Sequence, residues 1–317
     1  MISHWDEVKT VRRERGHIGG EWQSLTGQSS EWVGVQRIQI DPGKWSTPLH
    51  LEGSEEEIFF VLAGSGVSLQ WDGNDEESYA VHEGDCLVHL ALEHAHTLNA
   101  GPDGLDVLAF GERHYAANTL LPRAGVSWLG PTWVLEGAPD DHPWKREAAA
   151  GPPEIGELAE RPSRIVNVED VEQVGREGAT VSRTVRDLGR AAGSLKTGLR
   201  LYDVHAGKLL NPPHCHSAEE EIFVVLEGEG TVELWPHMRF GGEHEEHAVR
   251  RGSVIARPAG SGRAHTFRAG PSGLSVLAYG SRDPRDVTYY PRSGKVNIRG
   301  LGVIGRLDVL DYWDGED

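Results

Sequence analysis

Residues 50–71, HLEGSEEEIFFVLAGSGVSLQW, align without a gap to residues 214–235, HCHSAEEEIFVVLEGEGTVELW, and 11 of the 22 positions are identical. Self-similarity of that density marks a duplicated structural unit. The match extends outward. Gly84 answers Gly252, His96-Thr97 answers His265-Thr266, and Pro122-Arg123 answers Pro291-Arg292. The spacing between partners drifts only from 163 residues, Ile2 to Ile165, to 169, Trp144 to Trp313. The 317-residue chain is therefore expected to fold as two copies of one domain, residues 1–144 and 164–317. Residues 145–163, KREAAAGPPEIGELAERPS, mix charges, alanines and prolines without a strand period and read as the linker.

With 40 glycines, 17 prolines and 7% aromatic residues the chain must turn often, as short strands closed into a barrel require. The expectation is an all-β protein with a few short helical turns, at 5–13 and 168–174. The tails of the two halves, ending near DHPW and LDYW, are expected to pack on the opposite barrel or on a second chain.

The stretch PPHCHSAEEEIFVVLEGEG, residues 212–230, carries the chemistry. Alternate residues of a strand project to one face about 6.6–6.8 Å apart, so His214 and His216 can grip one ion while Cys215 points away. Read as one strand, Glu221 falls on the wrong parity, and an irregularity at Ser217 to Glu220 is expected to re-aim it. His265 follows as a fourth candidate. Imidazole and carboxylate suit iron, manganese, nickel, copper or zinc alike.

His214, His216, Glu221 and Gly228 form the pattern H-x-H-x4-E-x6-G, and Gly252, Pro258, Gly260 and His265 resemble a second motif, G-x5-P-x-G followed by histidine. The pair of motifs resembles that of the cupin superfamily, and the duplication resembles a bicupin. The resemblance implies two tandem double-stranded β-helix, or jelly-roll, barrels. It also implies a divalent transition metal held inside a barrel by three histidines and one glutamate. Four residues separate Gly260 from His265 where the family's usual motif has two.

The first copy is altered. Its aligned positions are His50, Glu52, Glu57 and His96, so a glutamate replaces the second histidine, and Leu90-Ala91-Leu92 stands where the second copy has Pro258-Ala259-Gly260. It is a possible second metal site, weaker than the first, with His94 read as an inward polar residue. The leading glutamates of the triplets Glu55-Glu56-Glu57 and Glu219-Glu220-Glu221 are expected to be solvated. The insertion at 236–249, with His237, His244 and His247, reads as a polar hairpin. Arg200, Tyr202 and Arg257 border the second cavity as candidate substrate contacts, an arginine being suited to clamp a carboxylate.

A net charge of −18 repels phosphate backbones and anionic membranes, which argues against nucleic acid and membrane partners. No apolar run resembles a signal peptide or membrane span, and two cysteines make no disulfide framework, so a cytoplasmic protein is expected. Bicupins include ring-cleaving dioxygenases and oxalate-type decarboxylases. The resemblance thus implies a metal-dependent, dioxygenase-like oxidoreductase acting on a small organic acid or aromatic compound at the second barrel. The alternatives are a non-catalytic small-ligand module and a metal-dependent isomerase or decarboxylase. Edge burial between cupins implies a homo-oligomer, expected to be a dimer.

Overall fold

The apolar runs Ile58-Phe59-Phe60-Val61 and Ile222-Phe223-Val224-Val225 do not alternate with polar residues, as expected of strands buried on both faces. In the computed structural model, which describes residues 2–129, 132–134, 143–308, 310 and 312–316, each run opens the long central strand of a barrel. Phe59 and Val61 face the first barrel's own core, and Phe223 and Val225 that of the second. Ile58, Phe60, Ile222 and Val224 face the opposite way, into one apolar cluster shared by both barrels. The barrels stack back to back through it, with Phe110 and Tyr279 rings 5.1 Å apart at the middle.

All strand pairing among named strands is antiparallel. The first barrel's larger sheet has the order Ile165–Asn167, Asp85–His89, Glu57–Trp71, Ala95–Glu112, Val33–Ile40, Ile18–Ser24, Thr10–Arg15, with Glu76–His82 beside Glu57–Trp71. The second repeats it as Ile2–His4, Ser253–Arg257, Glu221–His237, Arg263–Ser281, Thr197–Val204, Arg183–Asp187, Val174–Arg176, with Glu245–Arg250 beside Glu221–His237. A four-stranded sheet closes each barrel: Leu51–Glu52, Asn118–Leu121, Val126–Leu129 and Thr132–Val134 in the first, Cys215–His216, Val287–Tyr290, Lys295–Ile298 and Val303–Arg306 in the second.

The leader strands are exchanged. Ile2 pairs with Ile255 of the second barrel, and Ile165 pairs with Leu87 of the first. Each leader then makes one turn of 3-10 helix, Trp5–Glu7 and Val168–Asp170, shorter than the helical turns expected there. The motif glycine Gly228 lies at φ +76°, and a Cβ there would come within 2.3 Å of the Gly273 carbonyl oxygen; Gly64 repeats this against Gly104. Only glycine fits such a left-handed, close-packed position.

Several expectations need correction. His216 and Glu221 do not share a strand: Cys215–His216 belongs to the small sheet and Glu221 to the large one, with residues 217–220 turning the corner between them. Strand parity therefore never applied to Glu221. Residues 145–149 of the linker belong to a helix, Pro143–Ala149, and Leu158 bridges Ser78 of the first barrel. The first tail packs on its own barrel, Trp144 lying 6.3 Å from Trp22.

Glu56 and Glu220 are buried, each 1% exposed, and not solvated. Glu56 accepts hydrogen bonds from the Ser194 and Thr197 hydroxyls and from the backbone N–H groups of Leu195, Lys196 and Thr197. Glu220 accepts from the N–H groups of Glu31, Trp32 and Val33. Each barrel thus inserts one carboxylate into a loop of the other.

Candidate metal centre

The second barrel converges four side chains from three strands and a loop. His214 and His265 face each other through a backbone bridge, His214 N–H to the His265 carbonyl at 3.2 Å and the reverse at 2.8 Å. His214 Nδ1 donates to the Pro212 carbonyl at 2.9 Å, which leaves Nε2 for the cavity. Glu221 Oε2 lies 3.1 Å from His265 Nε2 and 3.3 Å from His216 Nε2. These three atoms are buried, yet none makes a hydrogen bond of acceptable geometry. Buried polar atoms are seldom left so, and three of them aimed at one point are what a cation would satisfy. The donor set of imidazoles and a carboxylate fits a divalent transition metal.

Asp286 sits behind His216. Its carboxylate takes the Nδ1–H of His216 at 2.8 Å and the N–H groups of Ala218 and Glu219 at 3.0 and 3.2 Å, and it is fully buried. Burial would raise its pKa, but His216 and these donors hold it well below the usual carboxylate range. Glu219 lies 3.5 Å from the same nitrogen and is ion-paired with Arg299. Burial pulls the His216 imidazole down, but Glu221 and Asp286 outweigh it and raise the group to about 10. His265 goes the other way, burial lowering it to about 3. The metal-free site therefore keeps its proton on His216, and an incoming cation must expel it. Changing Asp286 to Asn should weaken metal affinity about 10–100-fold, as loss of an orienting carboxylate typically does. Competition with a chromogenic chelator would read this.

The first barrel builds the same frame with a different balance. His50 and His96 bridge through the backbone at 3.2 and 2.8 Å, and His50, Glu57 and His96 lie close enough to share an ion. Here, however, His96 Nε2 and Glu57 Oε2 satisfy each other at 3.0 Å. Glu52 stands 3.9 Å from His50, its carboxylate bonded to Thr119. Burial, then Glu57, pushes Glu52 up to about 8. The second-copy counterpart of Thr119 is Thr288, which pairs across to His216 as Thr119 pairs to Glu52. Where the second copy has Asp286 the first has Ala117. His89 lies flat on His96, rings 3.8 Å apart, both of its nitrogens buried without a hydrogen bond.

Arg257 is the cross-strand partner of Glu221, and its Nε is buried without an acceptor. Tyr202 is buried in the barrel core beneath Arg183. Arg200, two residues before Tyr202 on the same strand, is ion-paired to Asp187 at 3.0 Å. His94 turns outward to Arg164, and His237, His244 and His247 converge on no metal-type group among the described residues. Asp286, Arg299 and His89 were not foreseen, and Glu219, expected to be solvated, is buried. For Asp286 and His89 the signal was the repeat itself, which sets them against Ala117 and Arg257.

Residues 193–296 match the family model described as Cupin. Among solved structures, the chain is similar to the oxalate decarboxylase of Lactobacillus farciminis in its formate complex (TM-score 0.63, 16% identity, covering 92% of this chain and 89% of that one). It is also similar to a deletion mutant of the Bacillus subtilis oxalate decarboxylase (TM-score 0.60, 16% identity, 88% and 76%) and to a form of that enzyme studied for its Mn(II) centres (0.60, 15%, 90% and 78%). None of the curated protein sequences matches. No helix among the described residues is long and apolar enough to cross a membrane. The matched segment lies in the second barrel and holds its metal-type cluster, and the chain as a whole shares the two-barrel fold of these solved structures.

Proposed function

We propose that the second barrel holds a divalent metal, manganese foremost, on His214, His216, Glu221 and His265, and uses it to decarboxylate a small organic acid. The observation that carries this reading is the convergence of buried, unsatisfied Nε2 and Oε2 atoms beside the unsatisfied Nε of Arg257. The first set calls for a cation and the second for an acceptor such as a carboxylate. The similarity to oxalate decarboxylases, the Bacillus subtilis one with Mn(II) centres, supports the choice of metal and reaction over the dioxygenase-like reading.

A bound metal would polarise a substrate oxygen as a Lewis acid. Arg257 would hold the substrate carboxylate, with Arg200 at the mouth and Tyr202 in the wall, while Asp286 keeps the His216 ring in place. The net change is redox-neutral: the bond to the carboxylate carbon breaks, carbon dioxide leaves, and the remaining carbon takes up a proton. Manganese-loaded protein offered short mono- and dicarboxylates, oxalate among them, is expected to release carbon dioxide without stoichiometric oxygen uptake. Oxygen consumption with catechols by iron-loaded protein would instead restore the oxygenase reading, and silence in both assays would leave a binding module.

A further inference from the structure

The two barrels do not present the same walls. The first encloses a cavity of about 190 Å³ bordered by Arg13, Trp22, Gln36, Phe59, Trp128 and Trp144, with the His50 and Glu57 cluster at its floor. Strand register identifies the second-copy counterparts. Trp22 and Val185 pair with Ile38 and Tyr202, Gln36 and Arg200 pair with Ala109 and Ala278, and Trp128 and Asn297 pair with Thr119 and Thr288. Where the second barrel has valine, arginine and asparagine, the first has two indoles and an amide.

A third indole arrives from outside the barrel. Helix Pro143–Ala149 is seated by Glu147, which is fully buried and ion-paired to Arg123 at 2.7 Å, with His17 at 3.5 Å. Gly16 makes room for it, since a Cβ there would meet Ala148 at 2.9 Å. The helix places Trp144 in the cavity wall. Arg13 lies against Trp22 and Trp144, its guanidinium carbon 5.5 and 5.6 Å from the two rings. No carboxylate among the described residues lies within ion-pair distance of it.

We propose that the first barrel binds a small planar aromatic carboxylate, its ring among Trp22, Trp128 and Trp144 and its carboxylate on Arg13. Flat indole walls favour a flat ring by offset or edge contact. An unpaired guanidinium favours a carboxylate, which it can meet with two parallel hydrogen bonds. A cationic guest, which indoles also attract, is disfavoured because Arg13 already occupies that place. The cavity is smaller than the pockets that take drug-sized ligands, which limits the guest to about one ring. This assignment is independent of the reaction proposed for the second barrel.

The full chain, titrated with benzoate and followed by tryptophan fluorescence and calorimetry, tests it. Benzoate is expected to bind saturably, and benzamide, without charge, and cyclohexanecarboxylate, without a flat ring, each about 10-fold or more weaker. Arg13→Gln and Trp144→Ala should each lose a similar factor for benzoate. Both lie at the cavity rim, so unchanged melting would certify their folding. His265→Ala, which disturbs only the second barrel, should bind benzoate as the wild type does. Equal binding of the three probes, full binding by Arg13→Gln, or loss of binding in His265→Ala would each overturn the assignment.

Discussion

His265→Ala is expected to strip the second barrel of its metal while leaving the protein folded. His265 contributes one of the three buried atoms that lack any other partner, and Glu221 Oε2 stands 3.1 Å from it. Removing even an orienting group behind a ligand typically costs about 10–100-fold in affinity, so loss of the ligand itself should exceed about 100-fold. A metal present at about 100 times its dissociation constant stabilises the folded state by roughly 2.7 kcal/mol. The rise in melting temperature on adding manganese should therefore vanish in His265→Ala. His216→Ala should behave alike, because Asp286 and Glu221 both address that imidazole. His50→Ala should change bound metal little, since in the first barrel His96 and Glu57 satisfy one another. Equal metal loss from His50→Ala would overturn this ranking of the two sites.

Glu56→Ala should destabilise the protein by about 3–5 kcal/mol, the usual consequence of removing one partner from a buried charged network. The substitution strands the N–H groups of Leu195, Lys196 and Thr197 and the hydroxyls of Ser194 and Thr197 inside the interface between barrels. Glu227→Ala, on the exposed part of the central strand, should fall within about 0.5 kcal/mol. Burial pushes the Glu56 carboxyl up, yet Ser194, Thr197 and the backbone donors hold it below its ordinary value of 4.5. A depressed carboxyl stabilises the fold above its unfolded pKa, and the contribution is lost as pH falls through the folded pKa. The gap between wild type and Glu56→Ala should therefore be largest near neutrality and narrow below about pH 4.5. Urea melts at both pH values would measure it, and a gap independent of pH would assign the loss to packing.

The duplication was readable because it depends on residue identity, which a repeat displays twice, and the H-x-H motif because its spacing is local to one short stretch of the second copy. Gly228 and Gly64 were readable for the same reason, a positive φ that admits little else. What escaped depends on which strand lies beside which. Glu56 and Glu220 look like members of an acidic surface run, and only the stacking of barrels shows that loops of the other half wrap them. Asp286 lies 70 residues from His216 along the chain. Nothing local marks it except its mismatch with Ala117. The odd spacing of Glu221 suggested a distorted strand, whereas the chain leaves one sheet and enters another. The tails are expected on the opposite barrel or on a second chain, but Gly16 and Arg123 receive the helix of Trp144 on its own barrel.

The exchanged leaders also constrain how the protein can be made. As the chain emerges from the ribosome, the first barrel's edge at Asp85–His89 stays bare until Ile165–Asn167 has been synthesised. Ile2–His4, made ahead of the first barrel, waits for Ser253–Arg257 of the second. A fragment ending at residue 144 would carry one strand with no sheet and one sheet edge with no strand. Long unpaired edges invite pairing between molecules. Cutting the gene at the repeat boundary should thus yield two sticky halves that are soluble mainly when produced together, each lending the other its first strand.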